Sequence, residues 1–147
     1  MVEVQREKRS LKTYDIDQIK EDEGFRTYPY KCTADKLTIG YGWNLDAGIP
    51  EKYAKVILSL QLQDNYLELV KAKPFVRDLS EEAQAILSNM QFNLGLTRLL
   101  KFKNMWAALA AGDYIKASKE MLDSKWARQV PNRAGRLAER MKKLQYT

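Results

Sequence analysis

The sequence predicts an α+β fold, in which a small β-sheet lobe near the N-terminus precedes a larger, all-helical lobe. Residues 25–45 are rich in aromatic and β-branched side chains with glycine interruptions, which is typical of short strands and turns. From Pro50 or Glu51 to about Lys71, apolar side chains recur at helical spacing. At about 1.5 Å per residue this helix is about 30 Å long. We therefore expect it to join the two lobes.

The chain of 147 residues is expected to form one domain over 1–147. A polar arm is expected over 1–12 and the β lobe with the first helix over 13–50. The connecting helix is expected over 51–72 and the helical lobe over 73–147. Hydrophobic residues make up 45% and charged residues 30%, which is ordinary for a folded protein. A chain of this length buries an adequate core without disulfides or metals.

The first helix is expected over Asp15 to Glu23. Asp15 is a suitable N-cap, and Gly24 follows where a helix C-terminus favours glycine. A turn over 33–36 and a strand over 37–43 then predict a sheet of two or three strands. Glu23 is expected at the helix end, facing this sheet.

The helical lobe is expected to begin with a helix that Ser80 caps and Gly95 ends. The apolar residues of this helix share one face, whereas Phe92 points almost opposite. Shorter helices are expected after it, over 104–111, 113–122, 124–128 and 132–143.

Histidine is absent and Cys32 is the single cysteine. The chain therefore has neither a Cys–His catalytic pair nor an internal disulfide, and it lacks the usual zinc-ligand spacing. Carboxylates must then carry any acid–base chemistry. We expect no cofactor and no metal.

The C-terminal third of the chain is strongly basic. Residues up to Leu96 include 13 basic and 15 acidic side chains, whereas those from Thr97 onward include 12 and 4. This asymmetry indicates an anionic partner, such as nucleic acid, a membrane surface or a bacterial wall polymer. On charge alone, solvated helix faces explain it equally well.

The charged N-terminus MVEVQREKRS lacks the apolar region of a signal peptide, and no run of about 18 apolar residues occurs. We expect neither a secretion signal nor a membrane-spanning segment.

Glu23, Cys32 and Thr38 stand nine and six residues apart in the aromatic-rich stretch. A carboxylate at a helix end suits a general acid, although spacing alone explains Glu23 equally as a solvated side chain. Cys32 is also explained as a small core residue, and Thr38 as an ordinary strand residue. Phe92 and Trp126 suit either sugar stacking or the core.

These three residues, followed by Ile-Gly-Tyr-Gly, resemble the phage-type lysozymes and endolysins of glycoside hydrolase family 24. The family's signature is Glu, eight residues, Asp or Cys, five residues and Thr, and then Ile-Gly-x-Gly. The segment NMQFNLG over 89–95 resembles the family's central helix. Residues 124–126 and 131–134 resemble its C-terminal helices. The resemblance covers about Asp15 to Met141.

The resemblance implies a lysozyme-like fold with a cleft between the lobes. It implies cleavage of the β-1,4 bond between N-acetylmuramic acid and N-acetylglucosamine in peptidoglycan, with inversion. Glu23 would protonate the leaving oxygen, Thr38 would hold the attacking water, and Arg133 would orient Glu23. Cys32 occupies the position of the water-activating carboxylate. It would act as a thiolate, aided by Lys31 and Lys36, or it would only position the water.

Phe92 matches a cleft-lining position, and Tyr41, Asn44 and Glu120 are further candidates for contacts with the glycan. The expected partner is peptidoglycan rather than nucleic acid, and the protein is expected to be a monomer without stable membrane insertion. It would accumulate in the host bacterial cytoplasm and reach the wall through a holin lesion. A lytic transglycosylase and a non-catalytic cationic wall-binding module are the alternatives.

Overall fold

The computed structural model describes residues 13–147, so the arm predicted over 1–12 lies outside the described residues. The chain divides into two compact units, of which the first ends at Ala54 and the second begins at Lys55. A three-stranded antiparallel sheet lies in the first unit, and helices make up the second. The predicted α+β fold class is confirmed.

The first unit opens with helix α1, Ile16–Glu23. The Asp15 side chain accepts a hydrogen bond of 3.1 Å from the backbone N–H of Gln18, which fixes the start of the helix. The backbone N–H of Gly24 donates to the carbonyl oxygen of Lys20 at 2.9 Å and ends it. The predicted caps are therefore confirmed, and Glu23 is the last helical residue.

The sheet has the strand order β1-β2-β3, so β2 is its central strand. Its strands are Arg26–Lys31, Leu37–Gly40 and Trp43–Asn44. Thr38 on β2 lies opposite Tyr30 on one side and Asn44 on the other. A tight turn connects β1 to β2, and Asp35 in it has a φ of 60°. The turn lies where the sequence predicts it.

Helix α2, Glu51–Ala72, confirms the helix predicted from Pro50 or Glu51 to about Lys71. The spacing that predicts this helix does not identify its buried face, because Leu67 is 63% exposed whereas Leu69 is 1% exposed. Within residues 13–147, no helix combines the length and the apolarity needed to cross a bilayer.

The second unit continues through a 3-10 turn and six helices, and a final 3-10 turn follows. The 3-10 turns are Pro74–Asp78 and Leu144–Tyr146. The helices are α3 Glu81–Leu94, α4 Leu96–Leu100, α5 Lys103–Ala110, α6 Tyr114–Leu122, α7 Lys125–Gln129 and α8 Pro131–Lys143. The side chains of Ser80, Asp113 and Ser124 each accept an N–H at the start of a helix. The sequence predicts Ser80 and Asp113 as caps, but it predicts neither the Ser124 cap nor α4.

The core of the second unit lies between α3 and the helices that follow it. Its fully buried side chains include Ile86, Leu87, Met90, Leu99, Met105, Met121 and Met141. Ser118 on α6 donates to the carbonyl oxygen of Ala138 on α8 at 2.8 Å, which joins these two helices inside the core. Arg140 on α8 pairs with Glu82 on α3 at the surface.

Truncating Met90 to alanine is expected to lower the free energy of unfolding by about 2–5 kcal/mol, because the side chain is completely buried and its removal leaves a cavity. Urea unfolding followed by circular dichroism measures the change. Leu67→Ala removes an exposed side chain and is the control, with an expected change within about 0.5 kcal/mol. Equal losses in the two variants would contradict the assignment of the core.

Candidate active site

Glu23 lies at the end of α1, beside the turn that connects β2 to β3. The ring of Tyr41, in this turn, lies 5.3 Å from the ring of Phe25, centroid to centroid. The ammonium group of Lys20 lies 5.5 Å from the centroid of the same ring. These contacts hold the turn against the last turn of α1. The Glu23 side chain is exposed, as a group that must meet a substrate requires.

Cys32 and Thr38 lie next to each other at the turn between β1 and β2. The backbone N–H of Cys32 donates to the carbonyl oxygen of Lys36 at 2.9 Å, and the Thr38 hydroxyl donates to the same oxygen at 2.8 Å. Thr38 is 5% exposed, whereas Cys32 is half-buried. The interpretation of Cys32 as a core residue is therefore wrong.

Hydrogen bonds lower the pKa of the Cys32 thiol below its ordinary value. The largest cause is the backbone of Lys36, the backbone of Ala34 follows, and the Thr38 side chain contributes a smaller part. Lys31, which the sequence offers as a charged aid to ionisation, pairs instead with Asp35 at 3.6 Å. Backbone groups, rather than the predicted ammonium groups, favour the thiolate.

A thiolate beside a threonine hydroxyl can act on a water molecule. A thiolate can take up a proton, and a hydroxyl that donates a hydrogen bond to a carbonyl still has lone pairs that can accept a hydrogen bond from water. Cys32 and Thr38 can therefore each accept a hydrogen bond from a bound water, and the thiolate can take up one of its protons. Of the predicted catalytic residues in the first unit, these two share a hydrogen-bond acceptor, the carbonyl oxygen of Lys36.

In the second unit, Phe92 lies on α3 and Arg133 lies on α8. Phe92 is 46% exposed, on the side of α3 away from the buried Met90. The Arg133 guanidinium donates through Nε to Oδ1 of Asn89 at 2.8 Å and through Nη2 to the Asn89 carbonyl oxygen at 3.3 Å. Asn89 lies three residues before Phe92, so the two share one side of α3. Arg133 is thereby anchored to the helix that carries Phe92.

The structure adds two asparagines that the sequence interpretation missed. Asn89 anchors Arg133, and Asn93 accepts a hydrogen bond of 2.7 Å from the indole N–H of Trp126. Trp126 is 4% exposed and therefore belongs to the core. Asn89 and Asn93 are four residues apart on α3, with Phe92 between them. This spacing was the available signal, because side chains at i and i+4 share one face of a helix.

Replacing Asn89 with alanine is expected to release Arg133. A hydrogen bond to a charged group contributes about 1.5–3 kcal/mol when it is well desolvated, and half-burial of this pair reduces the expected loss to about 1 kcal/mol. If Arg133 has the orienting role that the resemblance implies, wall lysis is expected to fall as well, because Arg133 then samples more rotamers. Urea unfolding and a turbidity assay measure the two effects. Ser88→Ala, one residue earlier on α3, is the control, and an equal result for it would contradict the anchor.

The remaining predicted substrate contacts have structural partners of their own. The Asn44 side chain accepts the backbone N–H of Asp46 at 3.0 Å, and Tyr41 holds the turn described above. Glu120 lines a cavity of about 430 Å³ together with Met105 and Asn104, and the Asn104 amide lies 3.5 Å from its carboxylate. Contact of these residues with a glycan stays a prediction.

Comparison with known proteins places most of the chain in one family. The profile of the family described as Phage lysozyme matches residues 20–143. The chain is also 29% identical over 153 residues to "Probable T4-type lysozyme 1" from Dictyostelium discoideum, with 82% of this chain and 89% of that protein covered.

Two phage proteins are similar to parts of the chain. An "Endolysin" of Acyrthosiphon pisum secondary endosymbiont phage 1 is 31% identical over 118 residues, which cover 78% of this chain and 77% of the phage protein. The "Pre-baseplate central spike protein Gp5" of Enterobacteria phage T4 is 37% identical over 67 residues. That match covers 46% of this chain and 12% of the spike protein.

Proposed function

Because this chain belongs to the phage lysozyme family and is thus a peptidoglycan hydrolase, we propose that it is an inverting N-acetylmuramidase. The bond cleaved is the β-1,4 linkage between N-acetylmuramic acid and N-acetylglucosamine. Glu23 is the general acid, Cys32 and Thr38 act on the attacking water, and Arg133 orients Glu23.

The adjacency of Cys32 and Thr38 is the observation that carries this proposal. The backbone N–H of Cys32 and the hydroxyl of Thr38 both donate to the carbonyl oxygen of Lys36, and hydrogen bonds lower the pKa of the thiol. An inverting glycosidase needs a group that accepts a proton from water on one face of the sugar and an acid on the other. The chain has no histidine, and Cys32 occupies the position that the resemblance assigns to the water-activating carboxylate.

The reaction proceeds in one displacement. Glu23 donates its proton to the glycosidic oxygen as the bond between that oxygen and the anomeric carbon breaks. Water attacks the anomeric carbon from the opposite face, with Thr38 accepting one of its hydrogen bonds. The second proton of the water passes to the Cys32 thiolate, and the product is a new reducing end of inverted configuration. Return of protons through solvent restores the enzyme.

Arg133 lies on α8 and is held against α3 by Asn89, and from this position it orients the acid. Its Nε and one Nη are engaged by Asn89, and the guanidinium retains further N–H donors that can receive a carboxylate. Phe92, exposed one helical turn from that anchor, is the apolar surface on which a sugar ring rests. Glycan contacts with Tyr41, Asn44 and Glu120 belong to the same proposal.

Product analysis tests the reaction class. Purified peptidoglycan is digested, and the fragments are identified by mass spectrometry after borohydride reduction. A reducible N-acetylmuramic acid end is expected, and proton NMR of the fresh product is expected to show the inverted anomer. Glucosamine at the reducing end would contradict the proposed bond, and the opposite anomer would contradict inversion.

A lytic transglycosylase is the second candidate, because the motif contains a single carboxylate, Glu23, and such an enzyme needs no base for water. Its product is a 1,6-anhydro sugar that cannot be reduced. The digestion above separates the two reactions directly. Monomeric state and release through a holin lesion stay predictions.

A further inference from the structure

Two glycines on either side of Tyr41 have the same unusual backbone: Gly40 ends β2, and Gly42 immediately precedes β3. Gly40 has a φ of 67° and Gly42 a φ of 74°, in the left-handed region that favours glycine. Backbone conformation therefore accounts for both glycines equally. Their surroundings, however, differ.

Gly42 lies against the Glu23 carboxylate, whereas a side chain at Gly40 would enter open space. A Cβ built on Gly42 would be 2.7 Å from Oε2 of Glu23 and 3.2 Å from its Cδ. A Cβ built on Gly40 would meet no atom within 4 Å. The carboxylate thus occupies the space that a side chain at position 42 would fill.

We propose that Gly42 is a positioning residue for the acid: its bare α-carbon sets the place of the Glu23 carboxylate. The inference rests on the proposed role of Glu23. Within residues 13–54, no hydrogen bond or ion pair holds this carboxylate, so the shape of the turn is what defines its position there.

Two contacts of Tyr41 hold the segment that contains Gly42 in position beside Glu23. Tyr41 lies between the two glycines and contacts both Lys20 and Phe25, one on each side of Glu23 in the sequence. The backbone at Gly42 is therefore held against the end of α1. A side chain at position 42 cannot be accommodated by moving the turn without losing these contacts.

The consequence of a Cβ at position 42 is a displaced carboxylate rather than a misfolded turn. The obstructing atoms are the far end of a flexible side chain, so rotation of Glu23 relieves the clash at little cost to folding. The same rotation removes the reacting oxygens from their place, and a displacement of about 1 Å can reduce a catalytic rate about 100-fold.

The matched pair Gly42→Ala and Gly40→Ala separates the two effects. Both variants carry the same left-handed strain, so their urea midpoints are expected to fall equally. Cleavage of a soluble peptidoglycan oligomer is expected to lose about 100-fold in kcat at unchanged KM for Gly42→Ala only. The pair Gly42→Asn and Gly40→Asn repeats the test with a residue that tolerates this backbone, in case alanine prevents folding.

The carbon-13 shift of the Glu23 carboxyl reports its environment without reference to hydrolysis. It is expected to move in Gly42→Ala and Gly42→Asn and to stay constant in the Gly40 variants. Equal kcat losses at the two positions, or an unmoved shift in the Gly42 variants, would overturn the inference. If the Gly42 variants show the expected carboxyl shifts but the wild-type protein hydrolyses no peptidoglycan, the proposed function alone is refuted.

Discussion

Glu23→Gln is expected to reduce wall lysis by about 100-fold to 10,000-fold, the range in which general acids contribute. Glutamine keeps the size of the side chain but has no acidic proton for the leaving oxygen. The position of Glu23, at the end of α1 and exposed beside the β2–β3 turn, means that the substitution removes no core contact. The folded structure is therefore expected to persist, and the loss would be chemical.

A turbidity assay on cells stripped of their outer membrane measures this loss. Glu21→Gln is the matched control, because Glu21 is an exposed carboxylate on the same helix, two residues earlier. It is expected to retain nearly full activity. Substantial lysis by the Glu23 variant, or an equal fall in the control, would refute Glu23 as the acid.

Cys32→Ser is expected to retain a measurable fraction of activity. It is also expected to lose the increase in activity that the native enzyme shows as the pH rises. In the native enzyme the pKa of the thiol is lowered, so the thiolate forms as the pH rises through that value. If the thiolate accepts the proton of water, activity rises over the same range. Serine does not ionise there, so its activity is expected to be flat.

Cys32→Asp supplies the complementary test. The ordinary pKa of a carboxyl group lies well below the ordinary pKa of a thiol, so ionisation at position 32 is expected to move to lower pH in this variant. The aspartate variant is therefore expected to exceed the native enzyme at low pH. The pH dependence of lysis is measured for all three proteins. An unchanged alkaline rise in Cys32→Ser would show that Cys32 does not titrate in catalysis.

Linkage gives the same residue an effect on stability. Because the folded-state pKa of Cys32 is depressed, the thiolate stabilises the native state at pH values above the unfolded pKa. That contribution is lost as the pH falls through the folded pKa. The free energy of unfolding is therefore expected to increase with pH across this window, and Cys32→Ser is expected to remove the increase.

Local signals in the sequence were sufficient for most of the fold. Asp15, Ser80 and Asp113 cap helices because their side chains accept N–H groups within three residues, which is a purely local interaction. Helix α4 was missed because its five residues, Leu96–Leu100, are too few to show a period. The sequence also did not distinguish the exposed Leu67 from the buried Leu69 on the same helix. Burial depends on which elements pack against a helix.

The candidate site was predictable where a motif is local and less so where it is not. The spacing of Cys32 and Thr38 was visible, but the backbone hydrogen bonds that lower the thiol pKa depend on the folded turn. The interaction between Asn89 and Arg133 joins residues 44 positions apart. No local pattern encodes such a contact.

Helix α3 receives side-chain contacts from the last helices of the chain. Glu82, Asn89 and Asn93 bind Arg140, Arg133 and Trp126, respectively, so α3 is linked to residues made long after it. During synthesis the helical part of the site therefore stays incomplete until the final segment, 126–140, has emerged and docked. A ribosome-bound chain that stops before this segment would contain Glu23, Cys32 and Thr38 and yet lack Arg133, the residue proposed to orient Glu23.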